Sequence, residues 1–466
     1  MKILNLKNIL IFFFTTIITL MISYLAYNLY QAYFPLYFTT TATEVPEIKI
    51  NDTSIHIISP YNKKPIIAPV TFNTLYPNKI QVGSQIKYRK LKKLKNKHYI
   101  PLKIKLGNGQ IKNYRISPLS PYIPKLTVNT NNYHKGFILT SVHGYIHLSP
   151  SYSIIMKPNG NIIWYRGNEK VDYSTCNLKQ HRKNGKIRYS MHVHTADPFF
   201  RGEYLIMDEK FNVIDKVHLI KTKKHPELLA DEHEFIYIDD GHYILNAAED
   251  KKTYTNNIIQ EQKNKKVVLD WVSDQHPEFF KKAFQFPNYL HVNSFVIDPK
   301  DNNIIFSGAN GYLIAKINRQ TGKTMWILGG RNDEFNNPQK YFFIRQHNVQ
   351  IASDGDLLFF DNGNFDPIVN IGEYQKTVKT HLSRGLKYKL DEKNKKILNV
   401  EEFPFYDNSI FMGSIQLLKD NNTMFGCGGT EKCIAKILNQ KGEILLNIEV
   451  QRPYFSYRSF WVESLK

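Results

Sequence analysis

Short runs of alternating apolar and polar residues, separated by turn-forming residues, dominate the chain from about residue 126 onward. The clearest example lies between residues 289 and 362, where four runs rich in β-branched and aromatic residues follow one another. These runs are Phe295–Ile297, Asn303–Phe306, Gly311–Ile317 and Lys323–Leu328. Turn residues such as Asp298-Pro299 and Thr321-Gly322 separate them. Four strands in about forty residues match the size of one blade of a β-propeller.

The same unit recurs loosely through the rest of the chain. It consists of a strand, a polar turn with Gly, Asn or Asp, and a second strand that often ends in an aromatic residue. Examples lie at residues 153–167, 234–249, 316–330, 349–363, 415–429 and 435–449. At about 45–60 residues per blade, the segment from 126 to 466 holds six blades best. The pattern therefore predicts an all-β fold, with a six-bladed β-propeller at residues 126–466.

Residues 44–125 show a different pattern. Five strand-like runs lie there: Glu47–Ile58, Ile66–Phe72, Gln81–Tyr88, Tyr99–Leu106 and Ile111–Ser117. Gly107-Asn108-Gly109 between two alternating runs is a strong hairpin signal. A proline cluster at residues 118, 121 and 124 then suits a semi-rigid linker. We therefore predict a small N-terminal β-sandwich-like domain at residues 44–125.

The first 43 residues carry a long apolar stretch. Residues 9–27 are almost wholly apolar, and no charged residue lies between Lys7 and Glu44. Such a stretch is about long enough to cross the hydrocarbon core of a bilayer. Because Lys2 and Lys7 precede it, the positive-inside bias places the N-terminus in the cytoplasm and the body of the chain outside. We expect residues 1–43 to be an uncleaved inner-membrane anchor helix; a cleaved signal segment is the alternative.

Basic residues exceed acidic ones, with 62 Lys and Arg against 41 Asp and Glu and a formal net charge of +21. Such a balance can indicate nucleic acid, an anionic surface or an acidic ligand as the partner. The densest basic run, residues 87–105, lacks the interleaved aromatic platforms of a nucleic-acid groove. We interpret this run as a solvated basic face and expect no nucleic-acid partner.

Three cysteines are present. Cys427 and Cys433 bracket a short Gly-rich segment that a hairpin loop could close with a disulfide, which is plausible in an oxidising compartment. Two free thiols are the alternative for this pair. Cys176 is left over, and we expect it to be a small buried apolar residue.

Five short motifs, in this order along the chain, resemble the bacterial arylsulfotransferase family. They are LHVNSF (290–295), TGKTMWILGG (321–330), QHNVQ (346–350), FDNG (360–363) and SRGLKYKLDE (383–392). DEHEF (231–235) resembles the family's first histidine motif, and WVSDQHPEFF (271–280) resembles the tryptophan-bearing segment before the second. Similarity extends from about residue 47 to near residue 450. Members of the family are periplasmic enzymes with an N-terminal β-sandwich and a six-bladed propeller, so the resemblance implies the same architecture and compartment.

The resemblance also implies a reaction. The family moves a sulfuryl group from a phenolic sulfate ester to a phenol acceptor through a sulfated histidine, without a nucleotide sulfate donor, and we expect no cofactor. Matched by position, His347 becomes the nucleophile, and His233 and His291 become the two flanking catalytic histidines. A neutral imidazole suits the first role because it is both a competent nucleophile and a good leaving group. Asn293, two residues after His291, is expected to bind the sulfuryl group or to orient a histidine.

One departure from the family pattern concerns the charge near the sulfuryl group. Eighteen residues after the second histidine the family has an arginine, and this chain has Ala309. The surrounding Gly308-Ala309-Asn310-Gly311 predicts a short, flexible, uncharged turn with room for a larger side chain. Another cation then has to stabilise the charge on the sulfuryl oxygens. Arg345 is our first candidate for that substrate-binding role because it lies two residues from His347, and Arg331 and Arg384 are the others. An ordinary ion pair is the alternative for each arginine.

The sequence predicts no metal site. His192 and His194 share one face of a strand and could bind a metal, but no carboxylate or cysteine motif is fixed near them in sequence. We interpret them as strand-end histidines that face solvent or the channel. The chain also lacks a P-loop, a dinucleotide-binding glycine motif and an HExxH motif, so nucleotide and zinc-protease chemistry have no support.

Two functions of different classes follow from these observations. The three histidines favour an envelope-anchored aryl-sulfate sulfotransferase. Ala309 favours a catalytically reduced propeller that binds a ligand or a partner, because a propeller fold does not fix a function. The oligomeric state stays open, with a homodimer as one of the assemblies considered.

Overall fold

The computed structural model describes most of the chain after residue 123. The described stretches are residues 124–133, 135–144, 151–167, 173–195, 201–279, 288–364, 379–451 and 453–465, together with seven short strands between residues 36 and 118. Two compact units divide the chain, Met1–Pro121 and Tyr122–Lys466. The domain boundaries expected after residues 43 and 125 stay predictions, and the division between the units lies close to the second.

The first unit contains a mixed sheet and a separate strand pair. Its described strands are β1 (Leu36–Thr39), β2 (Ile55–Ile58), β3 (Ala68–Val70), β4 (Lys79–Gln81), β5 (Gln85–Lys87), β6 (Ile100–Lys105) and β7 (Ile111–Pro118). Five of them form one sheet in the order β1-β6-β7-β2-β3, in which β1 runs parallel to β6, and β4 pairs with β5. A second sheet facing the first is not seen among these described strands, so the β-sandwich stays a prediction.

The predicted membrane anchor, residues 9–27, lies outside the described residues. Among the residues that the structure does describe, no helix has the length and apolar character needed to span a membrane.

The second unit is built from β-sheets arranged as propeller blades. Its strands are β8 (Leu126–Asn131), β9 (Phe137–Gly144), β10 (Tyr152–Met156), β11 (Ile162–Gly167), β12 (Tyr173–Lys183), β13 (Lys186–Thr195), β14 (Gly202–Met207), β15 (Val213–Val217), β16 (Phe235–Asp239), β17 (His242–Asp250), β18 (Thr255–Lys263), β19 (Lys266–Val272), β20 (Val292–Ile297), β21 (Ile304–Gly308), β22 (Leu313–Ile317), β23 (Thr324–Gly329), β24 (His347–Ile351), β25 (Leu357–Asp361), β26 (Arg384–Asp391), β27 (Lys396–Pro404), β28 (Ser414–Leu417), β29 (Thr423–Gly426), β30 (Cys433–Leu438), β31 (Ile444–Val450) and β32 (Tyr454–Val462). Short 3₁₀ helices lie at Ser273–Gln275 and Gln339–Tyr341.

Within the described part of this unit the strands form six antiparallel sheets, which are the six blades. Blade 1 holds β9–β11, blade 2 β12–β15, blade 3 β16–β19, blade 4 β20–β23, blade 5 β24–β27 and blade 6 β28–β31. The two ends of the unit close the ring. The last strand, β32, pairs with β9 and takes the first position of blade 1, and β8 pairs with β31 at the outer edge of blade 6. The predicted all-β, six-bladed propeller is confirmed.

Blade 4 shows why the sequence pattern identifies the fold. Its four strands match the four runs predicted between residues 295 and 328 to within a few residues. Every residue of β21 and β22 is buried, because a propeller blade packs against a neighbour on each of its two faces. On one of these faces, Trp271 from blade 3 contacts the ring of Phe306, with centroids 5.1 Å apart. The turn between β20 and β21 is fixed by Asp298, whose Oδ1 accepts a hydrogen bond from Lys300 N at 2.9 Å.

The cysteines fall into two environments. Cys427 and Cys433, at the end of β29 and the start of β30, are paired in a disulfide with their Cα atoms 5.6 Å apart. Cys176 is a free thiol and is fully buried. Its neighbours are polar, however, because its Sγ lies 3.1 Å from Glu232 Oε2. The expectation of a buried residue is therefore confirmed, and its thiol contacts a carboxylate rather than only apolar groups.

Candidate active site

The three predicted catalytic histidines lie where successive blades begin. His233 is two positions before the first residue of β16, His291 directly precedes β20, and His347 is the first residue of β24. Polar side chains hold the first strands of these blades side by side. Asn246 Nδ2 of blade 3 donates to Val292 O of blade 4 at 3.1 Å. The fold thus brings together residues that are far apart in sequence: His233 and His291 are separated by 58 positions, and their ring centroids are 4.7 Å apart.

His347 is buried, and its hydrogen bonds fix its tautomer. Its Nδ1 lies 2.8 Å from Arg345 O and 2.7 Å from Asn362 Oδ1. Both partners are carbonyl oxygens, which only accept hydrogen bonds, so Nδ1 must carry the hydrogen. The neutral ring therefore has its lone pair on Nε2.

The orientation of the Asn362 amide supports this assignment. Its Nδ2 donates to Ser409 O at 2.8 Å and to Met412 O at 3.1 Å, which leaves Oδ1 to face His347. These two bonds lie on the opposite side of the amide from the imidazole. The side chain that sets the His347 tautomer is thus itself held in place by the backbone, as an outer partner of a reactive group should be.

The electrostatic surroundings keep His347 neutral. Burial, together with the charges of Arg458, Arg345 and His291, holds the pKa of His347 well below its usual range, and the hydrogen bond to Asn362 opposes this shift only in part. A cationic ring would face two arginines in a site with little solvent. At neutral pH the Nε2 lone pair is therefore present on essentially every molecule.

His291 carries the opposite tautomer. Asn288 Oδ1 accepts a hydrogen bond from His291 N at 2.9 Å, so the Asn288 Nδ2, which lies 3.1 Å from His291 Nδ1, is the donor of that contact. Because Nδ1 accepts, the hydrogen of the neutral ring is on Nε2. Burial and the charge of His233 lower the pKa of His291 to about 3. His291 is thus a neutral N–H donor.

His233 has an anionic partner instead. Its Nδ1 is hydrogen-bonded to Asp231 Oδ1, and its backbone N donates to the same oxygen at 2.9 Å. Burial alone lowers the pKa of His233, but the charge and hydrogen bond of Asp231 outweigh burial, so the pKa is raised. His233 is therefore the histidine of the three that is able to hold a second proton near neutral pH.

Asn293 links two of these elements. It is fully buried, its Nδ2 donates to Gln346 O at 2.8 Å, and its Oδ1 accepts from Ser294 Oγ at 3.1 Å. The bond to Gln346 holds β20 beside the residue that precedes His347. Its observed contacts position the segment that leads into His347, and a direct contact of Asn293 with substrate stays a prediction.

The three arginines that the sequence suggested as substrate-binding residues lie in different surroundings. The charge of Arg345 lowers the pKa of both His291 and His347, so its side chain lies within electrostatic reach of both rings. Arg384 is engaged elsewhere, because its guanidinium is 3.1 Å from Asp361 Oδ2 and 2.8 Å from Glu402 Oε2. Arg331 is exposed. Of the three, Arg345 has the placement expected for a substrate-binding residue.

Sequence reasoning missed Arg458, a buried arginine of β32. Its Nη1 lies 2.8 Å from His233 O and 3.2 Å from Glu234 Oε2, and its Nη2 lies 2.7 Å from Asn293 O. Its Nε finds no hydrogen-bond partner among the described residues. After burial, the charge of Arg458 is the largest cause of the low pKa of His347. The sequence feature that could have identified Arg458 is its place as the single charged residue of the otherwise uncharged strand Tyr454–Val462.

The turn that carries Ala309 differs from its expected form. We predicted a short, flexible turn with room for a larger side chain, and this is wrong because Ala309 is fully buried. Its N donates to His291 O at 3.0 Å, and the next residue, Asn310, donates from its N to Leu290 O at 3.1 Å. The turn is therefore packed and bonded directly against the segment that carries His291.

His192 and His194 also differ from expectation. Both are buried, with 0% and 4% of their surface exposed, so neither faces solvent. The carboxylate and the cysteine that the local sequence lacked are supplied by Glu232 and Cys176 from other parts of the chain, and all four groups form one cluster. Possible ligands that no local motif indicated therefore surround these histidines.

Comparison with known proteins identifies relatives of the propeller unit. The profile of the family described as Arylsulfotransferase (ASST) matches residues 127–458. The arylsulfate sulfotransferase AssT of Escherichia coli O6:H1 (strain CFT073) is 30% identical over 175 residues, a match that covers 31% of this chain and 28% of that protein. The chain thus matches less than a third of the length of this curated relative.

Solved structures with a similar chain course are more distant in sequence. A protein of unknown function from Bacteroides caccae is 11% identical, with a TM-score of 0.41 and coverage of 71% of this chain and all of that one. Virginiamycin B lyase from Staphylococcus aureus is 12% identical, with a TM-score of 0.34 and coverage of 69% of this chain and 87% of that one.

Proposed function

Because the chain belongs to the arylsulfotransferase (ASST) family, we propose that it moves a sulfuryl group from a phenolic sulfate ester to a phenol acceptor, with His347 as the nucleophile. The observation that carries the proposal is the hydrogen-bonded state of His347. Its Nδ1–H is held by Arg345 O and Asn362 Oδ1, which leaves the Nε2 lone pair available. A nucleophile needs such a lone pair together with a low degree of protonation.

The proposed reaction has two displacement steps. In the first, the Nε2 lone pair of His347 attacks sulfur, and the bond from sulfur to the aryl oxygen breaks with its electron pair on the leaving phenolate. A proton from a neighbouring donor converts the phenolate to a phenol. In the second, the acceptor phenol gives its proton to the group that donated one in the first step as its oxygen attacks sulfur, and the N–S bond breaks with its electrons returning to Nε2. The enzyme is then restored.

The proton donors of this scheme are the other two histidines. His233 is oriented by Asp231 and lies beside His291, so we assign it the proton that the leaving phenolate takes. His291 presents an Nε2–H in its neutral form because Asn288 donates to its Nδ1. We assign that N–H to an oxygen of the sulfuryl group.

The charge on the sulfuryl oxygens needs cations as well. The family arginine is replaced by Ala309, and we propose that Arg345 and Arg458 supply the positive charge instead. Three N–H groups of Arg458 are bonded to protein oxygens, and its buried Nε–H has no partner among the described residues, so this group remains for an anionic oxygen. Donors fixed in advance in a buried site stabilise developing charge most strongly.

A second function, a ligand-binding propeller without turnover, rests on one observation. Ala309 stands where the family pattern has a cation, and its tightly packed turn has no room for one. Such a protein would bind an aryl sulfate without forming a covalent bond to it. The two functions therefore differ in a property that can be measured directly.

The test is the intact mass of the full-length protein after incubation with 4-nitrophenyl sulfate. We expect one added sulfuryl group on wild-type protein and none on the His347→Gln variant. The matched control is His225→Gln, because His225 is bonded to Asp270 at 2.9 Å, away from the three site histidines. Binding of the ester without any mass increase in folded wild-type protein would instead support the ligand-binding propeller.

We also propose the location and arrangement of the whole chain. Residues 1–43 anchor it in the inner membrane, residues 44–125 form a separate β-domain, and residues 126–466 form the catalytic propeller on the periplasmic side. The paired Cys427 and Cys433 support an oxidising compartment. A reporter that is active only in the periplasm, fused after residue 130, should be active. Activity of a reporter that works only in the cytoplasm would contradict this topology.

A further inference from the structure

A buried cluster of four different side chains lies beside the proposed active site and has no role in the proposed reaction. Cys176 comes from β12, His192 and His194 come from β13, and Glu232 comes from the segment before β16. None of the four has more than 5% of its surface exposed. One ligand atom from each residue lies within 4.8 Å of the ligand atoms of all the others.

The backbone arrangement explains how the four groups meet. Cys176 and His192 are directly opposite each other in the antiparallel ladder of β12 and β13, and Ser174 is opposite His194. Side chains two residues apart on a strand point to the same face, so both histidines face the segment that carries Glu232. That segment is fixed by Tyr204, whose OH donates to Glu232 O at 2.9 Å.

Two distances within the cluster are close to those between the ligands of a tetrahedral metal site. The Sγ of Cys176 lies 3.1 Å from Glu232 Oε2 and 3.7 Å from His192 Nδ1. Ligand atoms of a tetrahedral zinc site are about 3.5 Å apart, given Zn–S bonds of about 2.3 Å and Zn–N or Zn–O bonds of about 2.0 Å. The two distances lie on either side of this value.

An independent feature is the hydrogen bond on the far side of the His192 ring. Its Nε2 lies 3.1 Å from Ala230 O, which only accepts, so Nε2 carries the hydrogen and Nδ1 carries the lone pair. That lone pair is on the ring atom that faces Cys176. Metal-binding histidines nearly always donate their second ring N–H to a carbonyl or carboxylate in this way.

A second group of possible ligands in the described part of the chain shows the contrast. The carboxylates of Asp298, Asp301 and Glu392 also converge, but the buried ammonium of Lys316 lies between 2.7 and 2.8 Å from each of them. A lysine thus already occupies the place of a cation there. The Cys176 cluster contains no such cation among its four members.

We propose that Cys176, His192, His194 and Glu232 bind one Zn²⁺ ion. The thiolate and the carboxylate each contribute one negative charge, which together balance the charge of the ion in a buried place. Mixed sulfur, nitrogen and oxygen ligands in tetrahedral spacing favour zinc, and four protein ligands without an open position make the site structural rather than catalytic.

The position of Glu232 gives this site its consequence. Glu232 lies between Asp231 and His233, so a metal bound to its carboxylate ties the segment that carries these two residues to blade 2. The amide of Asn177, one residue after Cys176, donates to Glu232 O at 3.2 Å and to His233 O at 3.1 Å. Zinc at the cluster therefore stabilises the folded propeller and holds in place the segment that carries Asp231 and His233.

The first test is the zinc content of the full-length protein after incubation with Zn²⁺ and desalting. We expect about one ion per chain in wild-type protein and a loss of about tenfold or more in zinc affinity in Cys176→Ser and in Glu232→Gln, each of which nearly preserves side-chain size. His181→Gln is the matched control, because His181 is also on β12 but is bonded to Ser190 Oγ at 2.7 Å. It should retain zinc.

Two results of this experiment would overturn the proposal. One is folded wild-type protein that retains no zinc from a zinc-supplemented buffer. The other is equal retention by wild-type protein and by both ligand variants.

A second measurement remains decisive even if a ligand variant fails to fold. Co²⁺ in place of Zn²⁺ should give wild-type protein an absorption band from charge transfer between the Cys176 thiolate and the metal, and a chelator should remove the band and lower the unfolding temperature. Co²⁺ binding without a thiolate band would exclude Cys176 as a ligand and overturn the site as proposed.

Discussion

His347 and His233 are the same residue type in the same propeller, yet their surroundings differ in one essential respect. The Nδ1 of His347 meets the uncharged oxygens of Arg345 and Asn362, whereas the Nδ1 of His233 meets the carboxylate of Asp231. The pKa of His347 is consequently held low by burial and nearby arginines, and that of His233 is raised because its carboxylate outweighs burial.

The comparison shows that the partner of Nδ1 determines which role a buried histidine can take. A neutral amide oxygen fixes the tautomer but favours the doubly protonated ring less than a carboxylate does. The ring therefore keeps the lone pair that the proposed nucleophile needs. A carboxylate fixes the same tautomer but also favours the doubly protonated ring, which suits a proton donor. The predictions below remove, exchange or disturb these partners.

The largest effect is expected when the proposed nucleophile, His347, is removed. His347→Gln should lower turnover of 4-nitrophenyl sulfate by about 10⁴-fold or more, because no other group can form the covalent intermediate. His233→Gln should also slow turnover but should still allow the protein to become sulfated, since it keeps the nucleophile. Steady-state rates and intact masses of the two variants distinguish these outcomes. Equal labelling of both variants would contradict the assigned roles.

Removal of the buried cation should have the next largest effect. Arg458→Gln should lower kcat by about 10²- to 10³-fold, because one fixed donor to the sulfuryl oxygens is lost. Lys179, which also pairs with Glu234, limits the loss of stability. Arg384→Gln is the control: that arginine pairs with Asp361 and Glu402, so its loss should change stability but not kcat. Equal kcat values for the two variants, measured on folded protein, would remove Arg458 from the mechanism.

Exchange of the neutral partner for a charged one should change the pH dependence. In wild-type protein the pKa of His347 lies well below its usual range, so His347 keeps its lone pair as the pH falls from 8 to 5. Asn362→Asp places a carboxylate at Nδ1, which raises that pKa, so the lone pair is lost as the pH falls through the new value. The charges of Arg345, Arg458 and His291 oppose the increase. The first step of Asn362→Asp should therefore be slower at pH 5.5 than at pH 8, whereas that of wild-type protein should show no such loss from His347. An unchanged profile in the variant would contradict this account.

The fold was largely predictable because it depends on local patterns. Alternating apolar positions and turn residues such as Asp298-Pro299 mark each hairpin, and a run of such hairpins has few ways to bury both faces. The closure of the ring was not predictable from these signals. It pairs β32 with β9 and β31 with β8, and the partners of each pair are separated by roughly three hundred residues, so no local pattern encodes them.

The site was predictable only as far as its motifs reach. The three histidines were found because each stands in a recognisable short segment, but their tautomers depend on Asn288, Asn362 and Asp231, whose contacts are set by the fold. The four members of the proposed zinc site are spread over 57 positions, from Cys176 to Glu232, with no spacing typical of a zinc motif. Buried chemistry assembled from several strands does not show itself in a single sequence.

The smallest effect on the reaction rate is expected for Ala309→Arg, which restores the cation that the family has at this position. Ala309 is fully buried, and its turn is bonded to the backbone of His291, so the longer side chain of Ala309→Arg has to displace its neighbours. Overpacking of this kind typically lowers the free energy of unfolding by about 1–3 kcal/mol. A new charge there would also repel Arg345, which already lies near His291 and His347. We therefore expect denaturant unfolding to show lower stability and assays on the folded fraction to show a modest fall in rate, with Ala309→Ser close to wild type.

A rise in rate of tenfold or more in Ala309→Arg would show that no other arginine has replaced the family cation, and that the positive charge assigned to Arg345 and Arg458 is absent from the reaction.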